Sequence, residues 1–206
     1  MKYNVSFELL GSRDYIHSTS ITHTLLKILE TNSIIKTNED IVMIDAVFKS
    51  KVYHNGSFVI NTPVNGAKIV YNIKLGNKIE KVYYIENNVP VENRIPYDED
   101  ALVGDAVINK KDMVITMKFT NKEEVIFNTL VAASKKLALD LFGSKGYGSW
   151  SLGRYSIKWA ETFKDIVGNE FSIHLVSNID DCYTKNDLFI KGKYYGSLYA
   201  AMSRNS

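Results

Sequence analysis

Cysteine, proline and long apolar runs are all scarce in this chain, and each scarcity excludes something. The lone Cys182 cannot close an intrachain disulfide or anchor a zinc site by itself, which fits a reducing compartment and points to the cytoplasm. Beside Asp180 and Asp181, and with no basic neighbour in that run, a nucleophilic cysteine is not expected. No stretch approaches the roughly 18 apolar residues of a membrane span. The opening MKYNVSFELLGS alternates like a strand and does not resemble the apolar core of a signal peptide, so a soluble chain with no membrane partner is expected. An excess of one charge is lacking as well. The 25 Lys and Arg residues against 23 Asp and Glu leave a net charge of +2, so affinity for a polyanion has to come from a local patch. H-E-x-x-H, paired C-x-x-C, an EF-hand loop and the phosphate loop G-x-x-x-x-G-K-[ST] are all missing; no metal and no cofactor are expected.

What is present is patterned. Tyr3, Val5, Phe7 and Leu9 alternate with polar neighbours until Gly11-Ser12 breaks the run. Ser18 or Thr19 can then cap a helix whose apolar positions are Ile21, Leu25, Ile28 and Leu29. Residues 41–52 and 56–60 read as strands meeting at an Asn55-Gly56 turn, and residues 67–75 and 78–85 as a second hairpin around Gly76-Asn77. Residues 86–105 hold Pro90, Pro96 and six acidic side chains against Arg94 alone, which reads as a boundary or a long surface loop. Beyond it, Met113, Ile115, Met117 and Phe119 alternate, and Thr120-Asn121-Lys122-Glu123 resembles a capping box. Ile126, Leu130, Ser134, Leu137 and Leu141 then form one stripe of a helix ending at Phe142. Tyr155, Ile157 and Trp159 read as a strand, residues 171–176 as another, and residues 188–199 as a closing hairpin around Gly192. Strand, cap and helix thus occur twice in the same order. The expectation is an α+β fold of tandem ferredoxin-like, RRM-like units with antiparallel sheets, spanning residues 1–104 and 105–206.

The densest chemistry lies in residues 137–159, LALDLFGSKGYGSWSLGRYSIKW, where a helical pattern runs into Gly143, Gly146, Gly148 and Gly153. Glycines let a backbone approach a ligand closely, and consecutive amides can cradle a phosphate. Lys145 and Arg154, with Lys136 upstream, supply charge for phosphates. Tyr147 and Trp150 supply stacking faces worth about 1–3 kcal/mol per base. The composition suits an RNA backbone.

Taken with the earlier run YIHSTSITHTLLKIL, this Gly-rich segment resembles the RAMP superfamily of CRISPR-associated proteins. Within it the chain is most similar to the small subunit that caps the tagged end of the guide RNA in type III or related effector complexes. The resemblance implies ferredoxin-like folds, guide-RNA binding without catalysis, and other effector-complex subunits as partners. It also adds His17 and Ser18, in the turn before the first helix, to the RNA-binding set.

Two enzymatic readings stand beside that one. His17 and His23 would be the acid and base of a RAMP guide-RNA-processing endoribonuclease, although a spacing of six does not place them on one helical face. A tandem hotdog-fold acyl-thioester thioesterase or dehydratase also repeats strand, long helix and antiparallel sheet. The closing DLFIKGKYYGSLYAA resembles the terminal hairpin of such folds, and His17, with Asp14 nearby, would be the base. His54, in its turn, and His174, in its strand, read as structural. Sheet topology separates these alternatives.

Overall fold

A computed structural model describes residues 1–120, 125–143 and 149–202. The chain divides into two compact units, Met1–Asp98 and Glu99–Ser206.

The first unit opens with β1 (Lys2–Val5) and the short β2 (Leu9–Leu10), followed by α1 (Ser18–Thr31) and a 3-10 turn at Asn38–Asp40. Then come β3 (Ile41–Phe48), β4 (His54–Ile60), β5 (Ile69–Leu75), β6 (Lys78–Pro90) and β7 (Arg94–Ile95). The sheet runs β1-β4-β6-β5-β3 with every neighbour antiparallel. A separate ribbon pairs β2 with β7 in parallel. Helix α1 forms where the apolar spacing predicts it, and Ile21, Leu25 and Leu29 are buried along one side. The Thr22 hydroxyl meets the Tyr71 hydroxyl of β5 at 3.3 Å, which fixes the helix against its sheet. Phe58, Tyr71 and Tyr84 pack edge to face in the interior.

The expected Asn55-Gly56 turn does not exist. Both residues lie inside β4, and β3 pairs with β5 while β4 lies between β1 and β6. Glycine is required at position 56 because a Cβ there would overlap the Ile85 carbonyl oxygen and the Tyr84 ring. Asn55 ties chain segments together: its Oδ1 accepts from the Phe7 amide at 2.8 Å and its Nδ2 donates to the Pro90 carbonyl at 2.8 Å.

The second unit carries a 3-10 turn at Asp100–Val103, then β8 (Val107–Asn109), β9 (Val114–Lys118), α2 (Ile126–Phe142) and β10 (Trp150–Ile157). It ends with α3 (Trp159–Ile166), β11 (Glu170–Ile179), β12 (Tyr183–Ile190) and β13 (Lys193–Met202). Its sheet runs β10-β13-β12-β11-β9-β8, again antiparallel at every pairing. Helix α2 lies against β9, β10, β11 and β13. Phe127 packs edge to face on Tyr155, 4.7 Å between centroids, and Asn186 Nδ2 donates to Ser134 Oγ at 2.9 Å. The capping box expected at 120–123 lies, from residue 121 on, outside the described residues. Trp159, expected to continue a strand, opens α3 instead, because Trp159, Thr162 and Ile166 fall on one buried helical face.

The ferredoxin-like expectation is therefore corrected. A ferredoxin-like unit threads two crossover helices over one sheet (βαββαβ). In the first unit one long helix serves the sheet, and the strands after it join neighbours that run antiparallel, without a crossover helix between them. Both units share instead one long helix against an antiparallel sheet. The strand-then-helix opening is common to both architectures, which is why the sequence pattern did not separate them.

Candidate active site

The polar chemistry of the first unit converges on the start of α1. His17 is its N-cap residue, with extended backbone angles, and its own side chain makes no capping hydrogen bond. The first-turn amides of a helix have no intrahelical acceptor and carry the positive end of its dipole. These groups are screened from solvent: His17 is 3% exposed, Ser18 9% and Thr19 0%. His17 Nδ1 lies 2.7 Å from Thr19 Oγ1. The Tyr97 ring is tilted against the imidazole, 5.7 Å between centroids, and the Arg13 guanidinium lies 5.1 Å from that tyrosine ring.

The loop leading into His17 is held from two sides. Ile16 donates its amide to the Val52 carbonyl at 2.7 Å, and the Lys51 ammonium lies over the Tyr15 ring at 4.6 Å. The β2–β7 ribbon anchors the other side, where Arg94 donates from Nη1 to the carbonyls of Gly11 and Arg13. Beneath the first turn, Thr22 Oγ1 donates to the Ser18 carbonyl at 3.0 Å and meets Tyr71. Burial pushes the Tyr71 phenol far above the ordinary tyrosine range, so it stays protonated. A desolvated imidazole beside a row of backbone amides can exchange a proton and stabilise a developing oxyanion.

The expected site residues fall in different places. His17 and Ser18 are together at the head of α1. His23 is half-buried about one and two-thirds turns further on, rotated roughly 240° around the axis, and burial lowers its pKa, which favours the neutral imidazole. The two histidines are not brought together as a pair. Asp14 is exposed, and the atom that meets His17 Nδ1 is the Thr19 hydroxyl. His54 lies 3.8 Å from Glu86, and His174 bonds Ser172 at 2.8 Å, both in strands. Thr19, Tyr97 and Arg94 were missed. The polar run HSTS was a usable signal for Thr19, whereas Tyr97 and Arg94 lie some eighty residues away in the chain.

In the second unit, Gly143 ends α2 with φ +67 and accepts from Trp150 Nε1 at 3.2 Å. Trp150 is 4% exposed, packed with Ala138, Ala200 and Met202, so it has no face to offer a base. Arg154 is exposed, its guanidinium 5.6 Å from the Tyr199 ring, and Lys136 is half-buried on α2. Gly153 sits at the bulge between β10 and β13. Lys145, Gly146, Tyr147 and Gly148 lie outside the described residues. Among the described residues no group of His, Cys, Asp and Glu is placed to hold a metal ion, and no helix is long and apolar enough to cross a membrane.

The sequence matches no protein-family model and no curated protein. Solved structures do match. The pyran synthase domain from module nine of the sorangicin pathway is similar with a TM-score of 0.53 at 8% identity, over 100% of this chain and 93% of that one. The 12:0-ACP thioesterase from Umbellularia californica is similar with a TM-score of 0.50 at 6% identity, over 100% and 97%. These likenesses establish the fold, which is the hotdog fold. The CRISPR-associated RAMP resemblance is thereby corrected, and with it the RNA-binding function and the expected partners, guide RNA and effector-complex subunits. The burial of Trp150 removes part of the stacking surface on which that reading was built.

Proposed function

We propose that the chain is an enzyme acting on an acyl thioester, and that hydrolysis is its reaction. The observation that carries this reading is the buried His17 imidazole at the head of α1, where it makes no capping bond, within a fold shared with an acyl-carrier thioesterase. In this reading the thioester carbonyl oxygen lies against the first-turn amides, which stabilise the negative charge it gains in the tetrahedral intermediate. His17 takes a proton from the attacking water as the C–O bond forms. It returns that proton to the departing sulfur as the C–S bond breaks, leaving a carboxylic acid and a thiol. Thr22 and Tyr71 hold the first turn in place. A second reading, the dehydratase that the sequence offers beside the thioesterase, uses the same imidazole to remove an α-proton from a 3-hydroxyacyl thioester with loss of water. We place the enzyme in the cytoplasm, on its lone cysteine.

The test is a panel of acyl-CoA and acyl-N-acetylcysteamine thioesters of graded chain length, incubated with the purified chain. Thiol release reads hydrolysis, and mass spectrometry reads the enoyl product of elimination. Wild-type turnover is expected, with kcat lowered by about 10²–10⁴-fold in His17→Ala. Absence of both reactions across the panel, or turnover unchanged in His17→Ala, would refute the proposal.

A further inference from the structure

We infer that Thr19 is the positioning residue of His17: its hydroxyl accepts from Nδ1–H and holds the imidazole in the tautomer whose lone pair is on Nε2. A neutral imidazole has one donor nitrogen and one acceptor nitrogen, and the hydrogen bond made by one decides the role of the other. The bond in question is short, 2.7 Å between Nδ1 and Thr19 Oγ1. It is also shielded, since Thr19 is 0% exposed and His17 3%, so bulk water does not compete for either atom. Threonine is β-branched and stiff about χ1, which aims its oxygen in one direction. The neighbouring Thr22 behaves differently: its hydroxyl donates to the Ser18 carbonyl and so serves the helix.

The direction of this bond, and with it the role assigned to the imidazole, rests on the acyl-thioester reading, because a hydroxyl can give or take the hydrogen and a base acting through Nε2 needs its proton on Nδ1. The tautomer can be read apart from that activity. It is measured without substrate, by long-range proton–nitrogen correlation on 15N-labelled protein at a pH where His17 is neutral. The wild type is expected to show a pyrrole-type Nδ1 and a pyridine-type Nε2. In Thr19→Val the enforced form is lost and the signals move toward the Nε2–H tautomer, while Thr19→Ser, which keeps the oxygen, restores the wild-type pattern. In the thioester assay Thr19→Val lowers kcat roughly 10–100-fold, the usual scale for a group that orients a functional imidazole, with KM unchanged, and Thr19→Ser recovers most of the loss. A wild-type His17 protonated on Nε2 overturns the inference even if no variant folds. So does a folded Thr19→Val with unchanged tautomer and kcat. If the tautomer is as stated but no thioester is turned over, the positioning by Thr19 stands and the enzymatic reading falls.

Discussion

Tyr71 and Thr22 show how much a single hydroxyl pair can be made to say. Thr22 Oγ1 spends its one hydrogen on the Ser18 carbonyl, so the Tyr71 hydroxyl is the donor in the 3.3 Å contact between them. Replacing Tyr71 with Phe removes that donor but leaves Thr22 still bonded. The expected loss is about 0.5–1.5 kcal/mol, measured by urea unfolding. Glu86 gives a pH-dependent case. Burial alone would push its carboxyl up, but the amides of Tyr53 and His54 and the Lys68 ammonium outweigh that and hold it below the usual carboxylate range. A carboxylate with a depressed folded-state pKa contributes stability that is fully present above its unfolded pKa, about 4.3, and lost as pH falls through the lower folded value. Acid unfolding of Glu86→Gln should therefore be less steep below about pH 4.3 than that of the wild type; curves of equal steepness would show that Glu86 contributes nothing there. At this scale His17 was legible, because a histidine followed by Ser-Thr-Ser before an apolar stripe marks a helix head. Its Tyr97 neighbour was not, since nothing local in residues 94–97 points eighty residues back.

Elements were legible where one period or one turn dominated. The stripe Ile21, Leu25, Ile28 and Leu29 located α1, and Ile126 to Leu137 located α2. Gly76-Asn77 marked the tight turn joining β5 to β6, and Gly192 the turn joining β12 to β13. The same logic failed at Asn55-Gly56, where glycine answers to a crowded neighbouring strand and not to a reversal of direction. It failed again at Trp159, whose aromatic neighbours share the composition of a strand but the spacing of a helix. Gly196 makes the crowding argument testable. It sits in β13 opposite Ile157 and Leu188 with φ +144, and a Cβ there would overlap the Ser156 carbonyl oxygen and lie 2.8 Å from Ile157 Cα. Gly196→Ala should cost at least about 2 kcal/mol through strain and overlap together. Thermal unfolding of that variant measures it, and a melting temperature equal to wild type would mean β13 shifts freely.

For the whole molecule, the antiparallel character of the sheets was readable and their order was not, because order depends on pairings between segments far apart in sequence. The β1–β4 pairing joins residues 2–5 to 56–59, and no periodicity encodes that choice. This is why one strand-and-helix pattern served two architectures until the sheets were seen. Both tryptophans of the chain, Trp150 and Trp159, are buried in the second unit, at 4% and 1% exposure. Intrinsic tryptophan emission is consequently a built-in optical reporter for one half of the chain, while circular dichroism sees both. Leu130→Ala, in α2, should take about 2–5 kcal/mol from the half that emits and move the fluorescence midpoint to lower denaturant. Leu25→Ala, in α1, carries a similar cost in a half that contains no indole, so a fluorophore attached near α1 would be needed to watch the candidate active site open in real time.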